Sequence, residues 1–104
     1  MNPEQLDESA REAHHPPTEL PDTLRVLWFA RAGRWHEAHD LVQYIPDPEG
    51  AWIHAHLHRE EGDPEYAAYW YLRAERQVPT SAVTLEQEWF LLARHFCTQP
   101  FHVR

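Results

Sequence analysis

Apolar residues recur along this chain at three- and four-residue intervals, the spacing of one face of an α-helix. Leu24, Leu27 and Trp28 open the pattern, and Gly33 ends that segment as a C-terminal cap. Trp35, Ala38, His39 and Val42 carry it on to Pro46-Asp47-Pro48. Residues 49–61 form a third helical segment, stopped by Gly62. Asp63-Pro64 then supplies an N-cap and a first-turn proline, the preferred order for starting a helix. Ala67, Trp70, Tyr71 and Ala74 make the stripe of the fourth segment, which Pro79 closes. Thr84-Leu85-Glu86-Gln87 is a capping box, and Leu85, Trp89, Leu92 and Phe96 face the core from the fifth. No alternating β pattern bounded by turn residues occurs, so the expected fold is all-α.

The first 22 residues differ from this body. They carry six acids against one Arg, with Leu6 and Ala10 almost the only apolar side chains. A short helix over residues 7–14 has no face worth burying before His14-His15-Pro16-Pro17 breaks it. The expected organisation is a flexible acidic N-terminal arm, or one loosely docked helix, over 1–19, one helical domain over 20–98 and a tail over 99–104.

The body repeats itself. Gly33-Arg34-Trp35-His36-Glu37-Ala38 aligns with Gly62-Asp63-Pro64-Glu65-Tyr66-Ala67, 29 residues further on, each opening the second helix of a pair. On Ala67, Tyr71, Ala74 and Pro79, with Gly62 at the turn and Ala55 as the small residue of the preceding helix, residues 22–79 resemble the tetratricopeptide-repeat family. The earlier copy departs from that pattern: Arg25 takes an apolar position and Gly50 replaces the proline, and the period falls short of the family's roughly 34 residues. The stretch from Ala51 to Asp63, with Tyr69 to Ala74, also resembles a group of small bacterial proteins, a likeness that brings no biochemistry with it.

The repeat resemblance implies a short stack of about two helix pairs plus a C-terminal capping helix. It also implies an interaction module for a protein or peptide partner, with a groove lined by Trp52, His56, Arg59 and Glu60. Tyr69 falls outside the core stripe with Arg73 one turn later, which adds them to the expected partner-binding set; Trp, Tyr and Arg are the residue types enriched at interaction hot spots. So short a stack leaves an open end, through which the chain could self-associate.

Composition removes several classes of function. The chain has 104 residues and a formal net charge of −8, against the basic footprint that nucleic-acid or anionic-membrane binding needs. It has no apolar run of membrane-spanning length and no basic-then-apolar leader. All nine basic residues counted as Lys+Arg are Arg, so a Schiff-base lysine and a phosphate loop are both excluded. One Cys allows neither an intrachain disulfide nor a cysteine zinc site, and a reducing cytoplasm is the expected setting.

Nine histidines remain. His14, His15 and His102 fall in the expected ends, and His36 and His95 at solvated positions. His54 and His58 stand instead where the repeat pattern places Leu and Tyr, on the face that meets a partner helix. They are i,i+4, Glu61 continues their stripe, and His39 on the preceding helix can approach. These residues have the ingredients of a His₃ or His₂–carboxylate site for Zn²⁺, Fe²⁺ or Cu²⁺. Buried imidazoles can equally knit helices through Asp40, Glu61 or Tyr66, and His58 with Glu61 could act as an acid–base pair. His56 points to the opposite face. Cys97 and His95 diverge at i,i+2, and the acid pairs Glu60/Glu61 and Glu86/Glu88 are expected in solvated turns and helix starts.

Overall fold

The computed structural model describes residues 1–98, and the expected tail over 99–104, with His102, lies outside them. Among the described residues the chain is an all-α helical stack of six helices with no strand. They are α1 (Pro3–Glu12), α2 (Asp22–Arg31), α3 (Trp35–Val42), α4 (Glu49–Glu60), α5 (Pro64–Arg73) and α6 (Leu85–Cys97). None of them is long and apolar enough to cross a membrane.

The signals that start and stop these helices act as their chemistry requires. The Asp63 carboxylate accepts from the Tyr66 N–H at 3.1 Å, and Pro64 occupies the first turn of α5. Thr84 and Gln87 cap α6 reciprocally, at 2.9 and 3.0 Å. Helices α2, α4 and α5 end alike, in a turn whose second N–H beyond the cap reaches back to a carbonyl five residues earlier: Arg34 to Phe29, Asp63 to His58 and Arg76 to Tyr71. That turn requires a left-handed residue, which is Gly33 (φ 78°), Gly62 (φ 91°) and, in the third case, Glu75 (φ 59°).

Helix α2 pairs with α3 and α4 with α5, while α4 also packs on α2 and α6 and becomes the most enclosed helix. Ala55 lets α5 approach it closely, with Ala67 and Tyr71 packed against that small side chain. The main core runs through Leu24, Leu27, Trp28, Ile53, Leu57, Trp89 and Leu92. Gly50 is fixed by space, because a Cβ there would lie 2.0 Å from the Ile45 carbonyl oxygen.

Of the two readings of the N-terminal stretch, the structure has the docked helix and not a flexible arm, and that helix has a face to bury where none was expected. Asn2 and Gln5 form a capping box, and α1 docks on α2 and α6 with Leu6 fully buried and Ala10 nearly so. Ser9 Oγ accepts from the Trp28 indole at 3.0 Å, and Arg31 bridges Asp7 of α1 (2.6 Å) to Glu86 of α6 (3.0 Å). Burial of one leucine and these polar ties outweigh the acidic character of the segment.

Candidate metal centre

Three helices each contribute an i,i+4 pair of rings to one cluster: Trp35 and His39 from α3, His54 and His58 from α4, Tyr66 and Trp70 from α5. The Trp35 indole donates to the Leu57 carbonyl at 2.8 Å, which sets the height of α3 against α4, and its ring stacks on His39 (centroids 4.7 Å apart, planes at 10°). Trp70 lies flat on His54 (3.8 Å, 13°), and Tyr66 tilts against His58 (4.4 Å). The aromatic side chains of α3 and α5 therefore clamp the imidazoles and limit their rotation.

A ring nitrogen from each of His39, His54 and His58 lies within 4.8 Å of the other two. His39 Nε2 and His54 Nε2 are 3.1 Å apart. Two ligands at a Zn–N distance of about 2.0–2.1 Å in tetrahedral geometry stand about 3.3 Å apart, so this edge is already close to coordination geometry. His58 Nδ1 donates to Glu61 Oε1 at 2.6 Å. That bond fixes the tautomer and leaves the lone pair on Nε2, which is buried and without a partner. A carboxylate orienting one nitrogen while the other stays free is the outer-shell arrangement of metal-ligating histidine.

Electrostatics keep His39 and His54 neutral. Burial, with His58 and then His39 beside it, depresses the His54 pKa to about 4. Burial and the neighbouring His58 likewise lower that of His39. Both rings are then neutral at neutral pH, each with one lone pair, and whichever Nε2 carries the proton in the His39–His54 contact must pass it to Nδ1 to coordinate. His39 and His54 line a cleft of ≈ 340 Å³ between the α3–α4 connection and α5, with Trp70, Asp47 and Arg73 in its walls. Arg73 pairs with Asp47 across it.

The four residues expected as metal ligands thus come together, with Glu61 behind His58 in place of a direct ligand role. The six residues expected to bind a partner, four of them in a groove, do not share one surface. His56 is 2% exposed and Arg59 is largely covered, both bonded to Glu88 of α6, whereas Arg73 lines the cleft and Tyr69 is exposed beside it on α5. Glu60 is exposed, and Trp52 is half-buried beneath the Arg76 guanidinium, 3.6 Å from its ring centroid. His95, expected in solvent, is half-buried with its ring 5.1 Å from that of Trp52.

A second cluster corrects the reading of Glu88 as a solvated helix-start acid. Its carboxylate is 3% exposed and accepts from His56 Nδ1 (2.7 Å), Arg59 Nη1 (3.0 Å) and the Tyr71 hydroxyl. Arg59 also donates to the Val83 carbonyl. This network joins α4, α5 and α6, and only its three partners, distant in sequence, reveal it.

No protein-family model matches the chain, and no curated protein or solved structure is significantly similar to it.

Proposed function

We propose that this protein binds one divalent first-row transition-metal ion, Zn²⁺, Fe²⁺ or Cu²⁺, through His39, His54 and His58, with Glu61 orienting His58. The observation that carries this reading is the buried His58 Nε2, without a partner beside two neutral imidazoles. Leaving such an acceptor unsatisfied costs about 1–3 kcal/mol. A network serving only to join the helices would be expected to satisfy all three rings. Here His39 and His54 satisfy each other, and the third nitrogen is left for an ion. Closing the widest edge of the triangle takes movements on the order of 1 Å, within the reach of side-chain torsions. A reducing, cytoplasmic setting suits the single thiol, Cys97, and a metal bound by imidazole alone.

The test uses tag-free protein, stripped with chelator and titrated with Zn²⁺, Co²⁺ and Cu²⁺ under calorimetry, with elemental analysis of the protein as purified. One ion per chain is expected. At a free metal concentration about 100 times Kd the folded state gains about 2.7 kcal/mol, a Tm rise of roughly 10–20 °C for a chain of this size. His58→Ala and His54→Ala should each abolish the stoichiometric site. Absence of both stoichiometric binding and a thermal shift with every one of these ions overturns the proposal.

A further inference from the structure

Resting on that metal reading, we infer that the bound ion keeps one coordination position open to the cleft. That position takes a small organic carboxylate, whose second recognition point is Arg73. Three protein nitrogens leave one vertex of a tetrahedral ion free. His39 and His54 line the cleft while His58 stands behind them in the interior, so the side left uncovered by protein is the cleft side.

Charge identifies the ligand as an anion. Three neutral imidazoles compensate none of the ion's two positive charges. Glu61, hydrogen-bonded to His58, supplies one negative charge, Asp40 beside His39 is exposed and screened by solvent, and the Asp47–Arg73 pair is internally balanced. One positive charge remains in a partly enclosed, aromatic-walled site, where an unpaired charge is costly. An anion entering the cleft relieves it.

The walls narrow the class further. The Arg73 guanidinium stands 4.8 Å from the Trp70 ring centroid, and of its five N–H groups Asp47 and the Tyr69 hydroxyl take two. The remainder can meet a carboxylate, for which this planar fork is matched. Val42, Ile45 and the Tyr66 ring also line the cleft, beside Gln43 and Gly50, and suit an apolar body. A volume of ≈ 340 Å³ lies at the small end of the range for ligand pockets, so the ligand is a compact one.

The experiment uses Co²⁺-loaded full-length protein, whose visible spectrum reports the ion's coordination, titrated with benzoate and isobutyrate. Both should shift the spectrum saturably, while benzamide and chloride should not compete. Arg73→Gln should weaken the carboxylates at least fivefold while changing Co²⁺ affinity less than twofold. Asp47→Asn frees the guanidinium from a half-exposed pair and should tighten them by roughly threefold. A spectrum indifferent to carboxylates, equal competition by benzamide, or unchanged affinity in both variants overturns the inference and leaves metal binding standing. Failure of Co²⁺ itself to bind overturns both.

Discussion

Removing the Glu88 carboxylate tests whether the buried network, more than the apolar seam alone, holds α4, α5 and α6 together. His56 and Tyr71 are 2% and 1% exposed, so after Glu88→Ala neither donor gains access to water, and the partly covered Arg59 loses its counter-charge. Breaking a buried charged network at one member costs about 3–5 kcal/mol. The whole stability of a domain this size is about 5–15 kcal/mol. At roughly 4–8 °C per kcal/mol the expected Tm loss is at least about 12 °C, and a marginally stable form would unfold outright. Glu88→Gln keeps the shape and one acceptor oxygen but turns an NH₂ towards a donor, so about 2 kcal/mol is expected for it. Urea melts at pH 7, followed by tryptophan fluorescence and by circular dichroism, give both values. A Glu88→Ala protein within about 0.5 kcal/mol of the parent, the range of an ordinary surface substitution, refutes the reasoning. The pH profile supplies an independent check. Burial alone would raise the Glu88 pKa, but His56, Tyr71 and Arg59 outweigh it and hold the carboxyl below its ordinary value. The stability it contributes is therefore present above the unfolded carboxylate pKa and lost as pH falls through the lower folded one. Glu88→Gln should lack that part of the acid limb.

Three further outcomes are expected. In chelator, with His54 depressed from 6.5 to about 4, the unfolded chain takes up a proton there first as pH falls, costing up to on the order of 3 kcal/mol between those values; His54→Gln should flatten this limb of the stability curve, and an unchanged slope contradicts the assignment. Glu75→Gly relieves a left-handed position that costs a side-chain-bearing residue about 1–2 kcal/mol and touches no core contact, so a gain of roughly 1 kcal/mol should appear in thermal melts, and a loss counts against the turn geometry. Leu6→Ala should cost about 2–5 kcal/mol and speed amide exchange throughout α1, whereas a loosely held arm would show neither effect.

The helices were legible because their ends carry local chemistry. Gly33, Gly62, Asp63-Pro64 and Thr84-x-x-Gln87 each act within four residues of themselves, and the folded chain uses them at those positions. Burial of α1 was not legible. Leu6 is one apolar residue among acids, and its worth depends on the surface that α2 and α6 offer it far along the chain. Glu88 is hidden for the same reason, since nothing near it in sequence distinguishes it from the exposed Glu86 two residues earlier.

The histidine cluster falls between these cases. Each of its i,i+4 pairs is visible alone, and the two histidines of α4 could be put on one face, but the coincidence of three pairs at one height is a property of the connections. The turn after α4 bonds the Asp63 N–H back to the His58 carbonyl at 3.0 Å, and the Asp63 side chain caps α5 at Tyr66. One residue thereby ties His58 to the helix start that brings Tyr66 onto its ring. On the other side, the Trp35–Leu57 bond fixes α3 one turn below His39. The geometry of the three histidines thus depends on the same short-range bonds that end and begin the helices, which is why three rings can be held in place with so little protein around them. Asp63→Ala, which spares every proposed ligand, should accordingly weaken Zn²⁺ binding as well as the start of α5. Calorimetric titration at a temperature where the variant remains folded checks this, and parental affinity in a demonstrably frayed α5 would show that the cap and the site are independent.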